Sequence, residues 1–69
     1  MDEIMTPEEL AGVLKIQPRT LYDWRLAGTG PRYVPLGRGK RADIRYRRRD
    51  VEEWMDRNTR TRTFEPGQK

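Results

Sequence analysis

The segment Thr20–Leu21–Tyr22–Asp23–Trp24–Arg25, followed by Gly28–Thr29–Gly30–Pro31, constrains this chain more than any other. Leu21 and Trp24 lie three residues apart, so on a helix they share one side and face a core. Arg19, Tyr22, Asp23 and Leu26 then fall on the opposite side, with Thr20 and Arg25 at its margins. Proline at position 18 pushes Gln17 toward extended geometry and itself suits a first helical turn, so the helix is expected to open at Gln17–Pro18. It runs to about Ala27 and stops at Gly28, because glycine takes the left-handed conformation that ends helices.

A chain of 69 residues makes one small domain. Domains of this size bury only about 60% of the surface their unfolded chains expose, so stability is marginal without a staple. With Cys 0 there is no disulfide, and with His 0 as well a structural zinc site lacks its usual ligands. The core is expected from Trp24, Trp54, Tyr33 and Tyr46 with the scattered Leu, Ile and Val. No apolar run approaches the roughly 18 residues of a membrane span, and the acidic start Met1–Asp2–Glu3 is unlike a signal-peptide n-region. The expected location is the cytoplasm.

Charge is distributed unevenly. The net charge is +4, yet residues 28–49 carry Arg32, Arg38, Lys40, Arg41, Arg45, Arg47, Arg48 and Arg49 against Asp43 alone. A merely solubilising surface intersperses its signs. A positive field concentrated in one segment is the footprint of a polyanion binder, and nucleic acid is the expected partner.

Local signals complete the architecture. Thr6–Pro7–Glu8–Glu9 predicts a helix start: Thr6 caps, Pro7 fits the first position and Glu9 closes a reciprocal capping box. Leu10, Val13 and Leu14 continue it as an apolar stripe, while Ala11 and Gly12 allow a second helix close approach. Arg32–Leu36 and Ala42–Arg47 read as two short strands joined through Gly37–Arg38–Gly39–Lys40–Arg41. Pro35 keeps the first strand at an edge, and Ile44 and Tyr46 alternate with charged neighbours on the second. A third helix is expected around Asp50–Arg57, with Val51, Trp54 and Met55 inward. Residues 59–69 have no helical period and are expected to form a flexible basic tail, leaving residues 1–58 as the domain.

Catalysis finds little support. Without His or Cys the common general bases, thiol nucleophiles and transition-metal ligands are missing. The carboxylate pairs Glu8–Glu9 and Glu52–Glu53 both fall in expected first helical turns, where they offset the helix dipole. Gly37–Arg38–Gly39–Lys40 lacks the spacing and following helix of a phosphate-binding loop. The expectation is no enzyme, no cofactor, no metal and no small-molecule ligand.

The segments Thr6–Ala11, Thr20–Arg25, Gly28–Pro31, Leu36–Arg38 and Arg45–Met55 resemble, in order and spacing, the small MerR-type winged-helix proteins of the excisionase and AlpA group. The resemblance covers roughly residues 5–57. It departs at Lys15, where the turn usually holds glycine, and at Gln17, where Ser or Thr usually caps the second helix. It implies an α+β fold, a small winged helix-turn-helix of three helices with a two-stranded antiparallel wing.

The resemblance also implies a mechanism. The helix Pro18–Ala27 would enter the major groove of double-stranded DNA, with Arg19, Thr20, Tyr22, Asp23 and Arg25 nearest bases and phosphates. The wing, through Arg38, Lys40, Arg41 and Arg45, would reach the neighbouring minor groove, where narrow A·T-rich DNA favours arginine. Excisionases of this group bind adjacent sites in the attachment region cooperatively and bend the DNA, so that phage integrase can assemble an excisive complex. The chain stops before the dimerisation helix and sensor region of full-length MerR regulators, which suits an architectural role. The expected partners are DNA, integrase and neighbouring copies of itself, with a small regulator of prophage genes as the alternative.

Overall fold

The computed structural model describes residues 1–39 and 42–63. Lys40 and Arg41 of the wing tip and residues 64–69 of the tail lie outside the described residues. In chain order the elements are β1 (Ile4–Met5), α1 (Pro7–Leu14), α2 (Pro18–Ala27), β2 (Val34–Leu36), β3 (Asp43–Arg47) and α3 (Arg48–Asn58). The strands form an antiparallel sheet in the order β1-β3-β2. This is the expected winged helix-turn-helix with one addition: β1 pairs along the second edge of β3, Ile4 opposite Arg47 and Met5 opposite Tyr46. Two residues are too few to show a strand period, so only the free edge of β3 makes a strand of them.

The start of α1 is the capping box. Thr6 Oγ1 accepts from the Glu9 amide at 3.1 Å, and Glu9 Oε1 accepts from the Thr6 amide at 2.8 Å. Its end is a Schellman turn, in which Lys15 is left-handed at φ 59 and the Ile16 amide donates to the Ala11 carbonyl at 3.0 Å. Three residues, Lys15–Gln17, separate α1 from α2, the spacing of a helix-turn-helix. The second helix has no side-chain cap at Gln17 and closes on a second Schellman turn at Gly28, φ 75, with the Thr29 amide on the Trp24 carbonyl at 2.8 Å.

Leu10, Ala11, Leu21, Tyr46 and Val51 form the buried core, with Met5, Leu14, Ile16, Trp24 and Ile44 packed against it. Fully burying a side chain such as Leu10 or Leu21 contributes about 1.5–3 kcal/mol. Ala11 is the small residue that admits α2, whereas Gly12 beside it faces solvent. Three expected core residues are corrected. Val13 is 65% exposed, Met55 48% and Tyr33 40%. Val13 and Met55 instead line a surface groove of about 350 Å³ that also touches Met5 and Val51. A domain this small has too little interior for every apolar position of a helical stripe.

The third helix begins two residues earlier than expected, at Arg48. The cause is the N-terminal segment. The Arg48 amide donates to the Glu3 carbonyl at 2.9 Å, and the Arg49 amide donates to Asp2 Oδ2 at 3.1 Å. Asp2 therefore caps α3 from a distant part of the chain, supplying the acceptor that Arg47, the residue at its N-cap, does not.

Candidate nucleic-acid interface

The outward side of α2 carries Arg19, Tyr22, Asp23 and Leu26, all exposed as the helical phase requires. Arg19 Nε lies 3.2 Å from Asp23 Oδ1, an exposed pair one turn apart. Such a pair adds only a few tenths of a kcal/mol to the helix, so a competing DNA group displaces it at small cost. Paired in this way, Asp23 also does not present a bare negative charge to phosphates. Thr20, expected at the margin, is half-buried, and its amide donates to the Gln17 carbonyl at 2.9 Å.

Tyr22 is the centre of a stack. The Arg19 guanidinium lies 5.6 Å from its ring centroid and the Arg25 guanidinium 5.7 Å. Arg25 also lies 5.8 Å from the ring of Tyr33, which immediately precedes β2, and donates from Nη1 to the Tyr46 hydroxyl at 2.9 Å. Arg19, Tyr22, Arg25 and Tyr33 thus form one continuous run of cations and rings from the first turn of α2 to the base of the wing. Guanidinium over an aromatic face is favourable by about 0.5–1 kcal/mol where exposed and more where desolvated.

In the wing, Arg38 is exposed between Gly37 and Gly39, whose φ values of 111 and 86 turn the chain from β2 to β3. Arg45 is half-buried on β3, opposite Val34, and donates to the Ile44 carbonyl at 2.8 Å. The remaining wing residues of the sequence reading, Lys40 and Arg41, lie outside the described residues.

The fold redistributes the positive block. Arg47 pairs with Asp50 at 3.8 Å, Arg48 with Glu3 and Glu52 at 3.3 Å each, and Arg49 with Asp2 at 3.5 Å. Arg48 and Arg49 thereby join the N-terminal segment to α3, and all three arginines have an acidic partner. Among the described residues Lys15, Arg25, Arg32, Arg38, Arg45, Arg57, Arg60 and Arg62 have no ion-pair partner, and four of these lie between α2 and the end of the wing. Arg32, Tyr33 and the Tyr46 hydroxyl belong to this region, though sequence reasoning did not single them out as site residues. Arg32 and Tyr33 follow the Gly30–Pro31 break, a signal that could have placed them at the wing base. The role of the Tyr46 hydroxyl had no local signal.

Among the described residues no group of three or more acidic side chains could hold a metal ion, and no helix is long and apolar enough to cross a membrane. Compared with known protein families, residues 4–59 match the helix-turn-helix domain. The match spans most of the chain, which belongs to this family of DNA-binding, typically non-enzymatic domains. No curated protein and no solved structure matches it.

Proposed function

We propose that this helix-turn-helix protein is an excisionase, a recombination directionality factor that binds adjacent sites cooperatively and bends the duplex for phage integrase. The helix α2 enters the major groove, with Arg19, Thr20, Tyr22, Asp23 and Arg25 nearest bases and phosphates. The wing reaches the next minor groove with Arg38, Lys40, Arg41 and Arg45, and residues 59–69, of which 64–69 lie outside the described residues, touch a neighbour or the integrase. The observation that carries the reading is the unbroken Arg19–Tyr22–Arg25–Tyr33 run, which links the recognition helix to the wing base so that both grip adjacent grooves together. The resemblance of residues 5–57 to the excisionase and AlpA group supplies the recombination role. Bending a site costs on the order of 1–6 kcal/mol, which phosphate contacts from unpaired arginines offset. Neighbours held on one duplex act at high effective concentration, so weak contacts between them suffice for cooperative filling.

Circularly permuted duplexes test the bend, and filling curves on a multi-site attachment fragment test the cooperativity. Position-dependent mobility, steep filling and integrase-dependent excision on adding the protein are the expected results. Straight DNA filled independently removes the architectural role and leaves a simple regulator of prophage genes.

A further inference from the structure

A cleft of about 380 Å³ opens between Arg25 and the loop from Gly28 to Tyr33, where α2 ends and the wing begins. One wall is the Arg25 guanidinium, held on three sides by the Tyr22 ring, the Tyr33 ring and the Tyr46 hydroxyl. A guanidinium has five N–H donors, and the Tyr46 bond engages Nη1 alone. Among the described residues no carboxylate pairs with Arg25, nor with the exposed Arg32 that also lines the cleft. Two unpaired cations thus share one opening. Two of the carbonyls at the end of α2 are occupied, Trp24 accepting from Thr29 at 2.8 Å and Arg25 from Gly28 at 3.2 Å. Gly28 has nothing within 4 Å of where a side chain would begin, so a ligand can approach the backbone closely.

We infer that this cleft seats one phosphodiester of the DNA backbone, gripped by Arg25 and Arg32, and that Tyr46 is the positioning residue that aims Arg25 into it. Planar guanidinium forks match phosphate oxygens in pairs, and their hydrogen bonds to an anion are roughly twice as strong as neutral ones. Tyr46 is 1% exposed, so it acts on DNA only through Arg25. Its hydroxyl and the two flanking rings restrict a long, rotamer-rich side chain before DNA arrives, lowering the ordering cost of the contact. Arg25 on this account holds a phosphate, not a base, and sets the register of α2 without reading sequence. The inference rests on DNA binding alone and not on the recombination role.

The test is duplex affinity as a function of salt for the wild-type chain, Tyr46→Phe, Arg25→Ala, Arg32→Ala and the Tyr46→Phe/Arg25→Ala pair, with thermal melts alongside. Tyr46→Phe keeps the ring and is expected to melt cooperatively. It should lose roughly fivefold in affinity, equally on cognate and random duplexes. Arg25→Ala and Arg32→Ala should each flatten the slope of log K against log salt, by up to about 0.9 for a lost phosphate contact. In the Arg25→Ala background Tyr46→Phe should change nothing further. Ethylating one backbone phosphate should weaken the wild-type chain and be silent only when Arg25→Ala and Arg32→Ala are combined. Wild-type affinity and slope in Tyr46→Phe, or an equal loss in the Arg25→Ala background, overturns the positioning role. Unchanged slopes in Arg25→Ala and Arg32→Ala overturn the phosphate seat. Straight DNA bound with these same losses counts against the excisionase reading while supporting the seat.

Discussion

The rings of Trp24 and Trp54 meet with centroids 5.3 Å apart and planes tilted by 44°, tying α2 to α3. Tilted aromatic pairs contribute about 0.5–1.5 kcal/mol beyond the area they bury. Trp24 also lies under the loop after α2, where the Gly30 backbone passes close to its ring. One side chain thus joins α2, the wing loop and the last helix.

Trp24→Ala and Trp54→Ala should each unfold the domain or leave it barely stable. Truncating a packed tryptophan costs about 3–5 kcal/mol, close to the whole stability of a chain this short. Thermal melts followed by circular dichroism read the outcome. A cooperative transition at the wild-type temperature for Trp24→Ala would show that the ring contributes little to the fold.

Gly30→Ala should destabilise by about 2 kcal/mol, since it combines a left-handed residue with crowding. Its φ is +81, and a methyl placed there would lie 2.9 Å from Trp24 Cε3. For a domain of this size that corresponds to a fall in Tm of about 10 °C. A melt unchanged by the substitution would mean that the loop and ring shift apart freely.

Lys15→Gly should act in the opposite direction. Lys15 is exposed and left-handed at φ 59, so glycine removes the steric cost and sacrifices no packing. The gain is limited to about 0.5–1 kcal/mol because glycine also loses more conformational entropy on folding. A Tm higher by roughly 4 °C is expected, and a lower one contradicts the strain argument.

Arg19→Ala and Tyr22→Ala should melt like the wild-type chain and lose about 1–3 kcal/mol of cognate binding, Arg19→Ala with little change on random duplex. Both residues are exposed, and the one ion pair at risk, Arg19–Asp23, is a surface pair. Unchanged footprints for both variants would remove α2 from the recognition role.

Removing the charges of Arg38, Lys40 and Arg41 together should weaken binding to all sequences alike and flatten the salt slope. Arg38 sits exposed on a glycine-flanked turn, so its loss leaves the fold intact. An unaltered slope in the triple variant would show that the wing tip stays off the DNA.

Much of the architecture was legible in the chain because its signals act over four or five residues. The Thr6–Glu9 box, Pro18 at a helix start and Gly28 at a helix end each satisfy or remove backbone groups of their own turn. The alternation of Ile44 and Tyr46 on β3, and the opposition of Tyr22 to Leu21 on α2, follow from the period of one element. The exposed side of α2, with Arg19, Tyr22, Asp23 and Leu26, was legible for the same reason.

What only the tertiary structure decided lies between residues far apart in sequence. Arg48 and Glu3, separated by 45 positions, meet because β1 pairs with β3, and that pairing gives Arg48 and Arg49 acidic partners from the N-terminal segment. Val13 and Met55 stay at the surface because five residues already fill the core. Arg25 reads as a marginal residue of a helix, yet its surroundings are set by Tyr33 and Tyr46 from the wing. Periodicity states which way a side chain points from its own element. It does not state what the rest of the chain brings there, because that depends on how the elements pack.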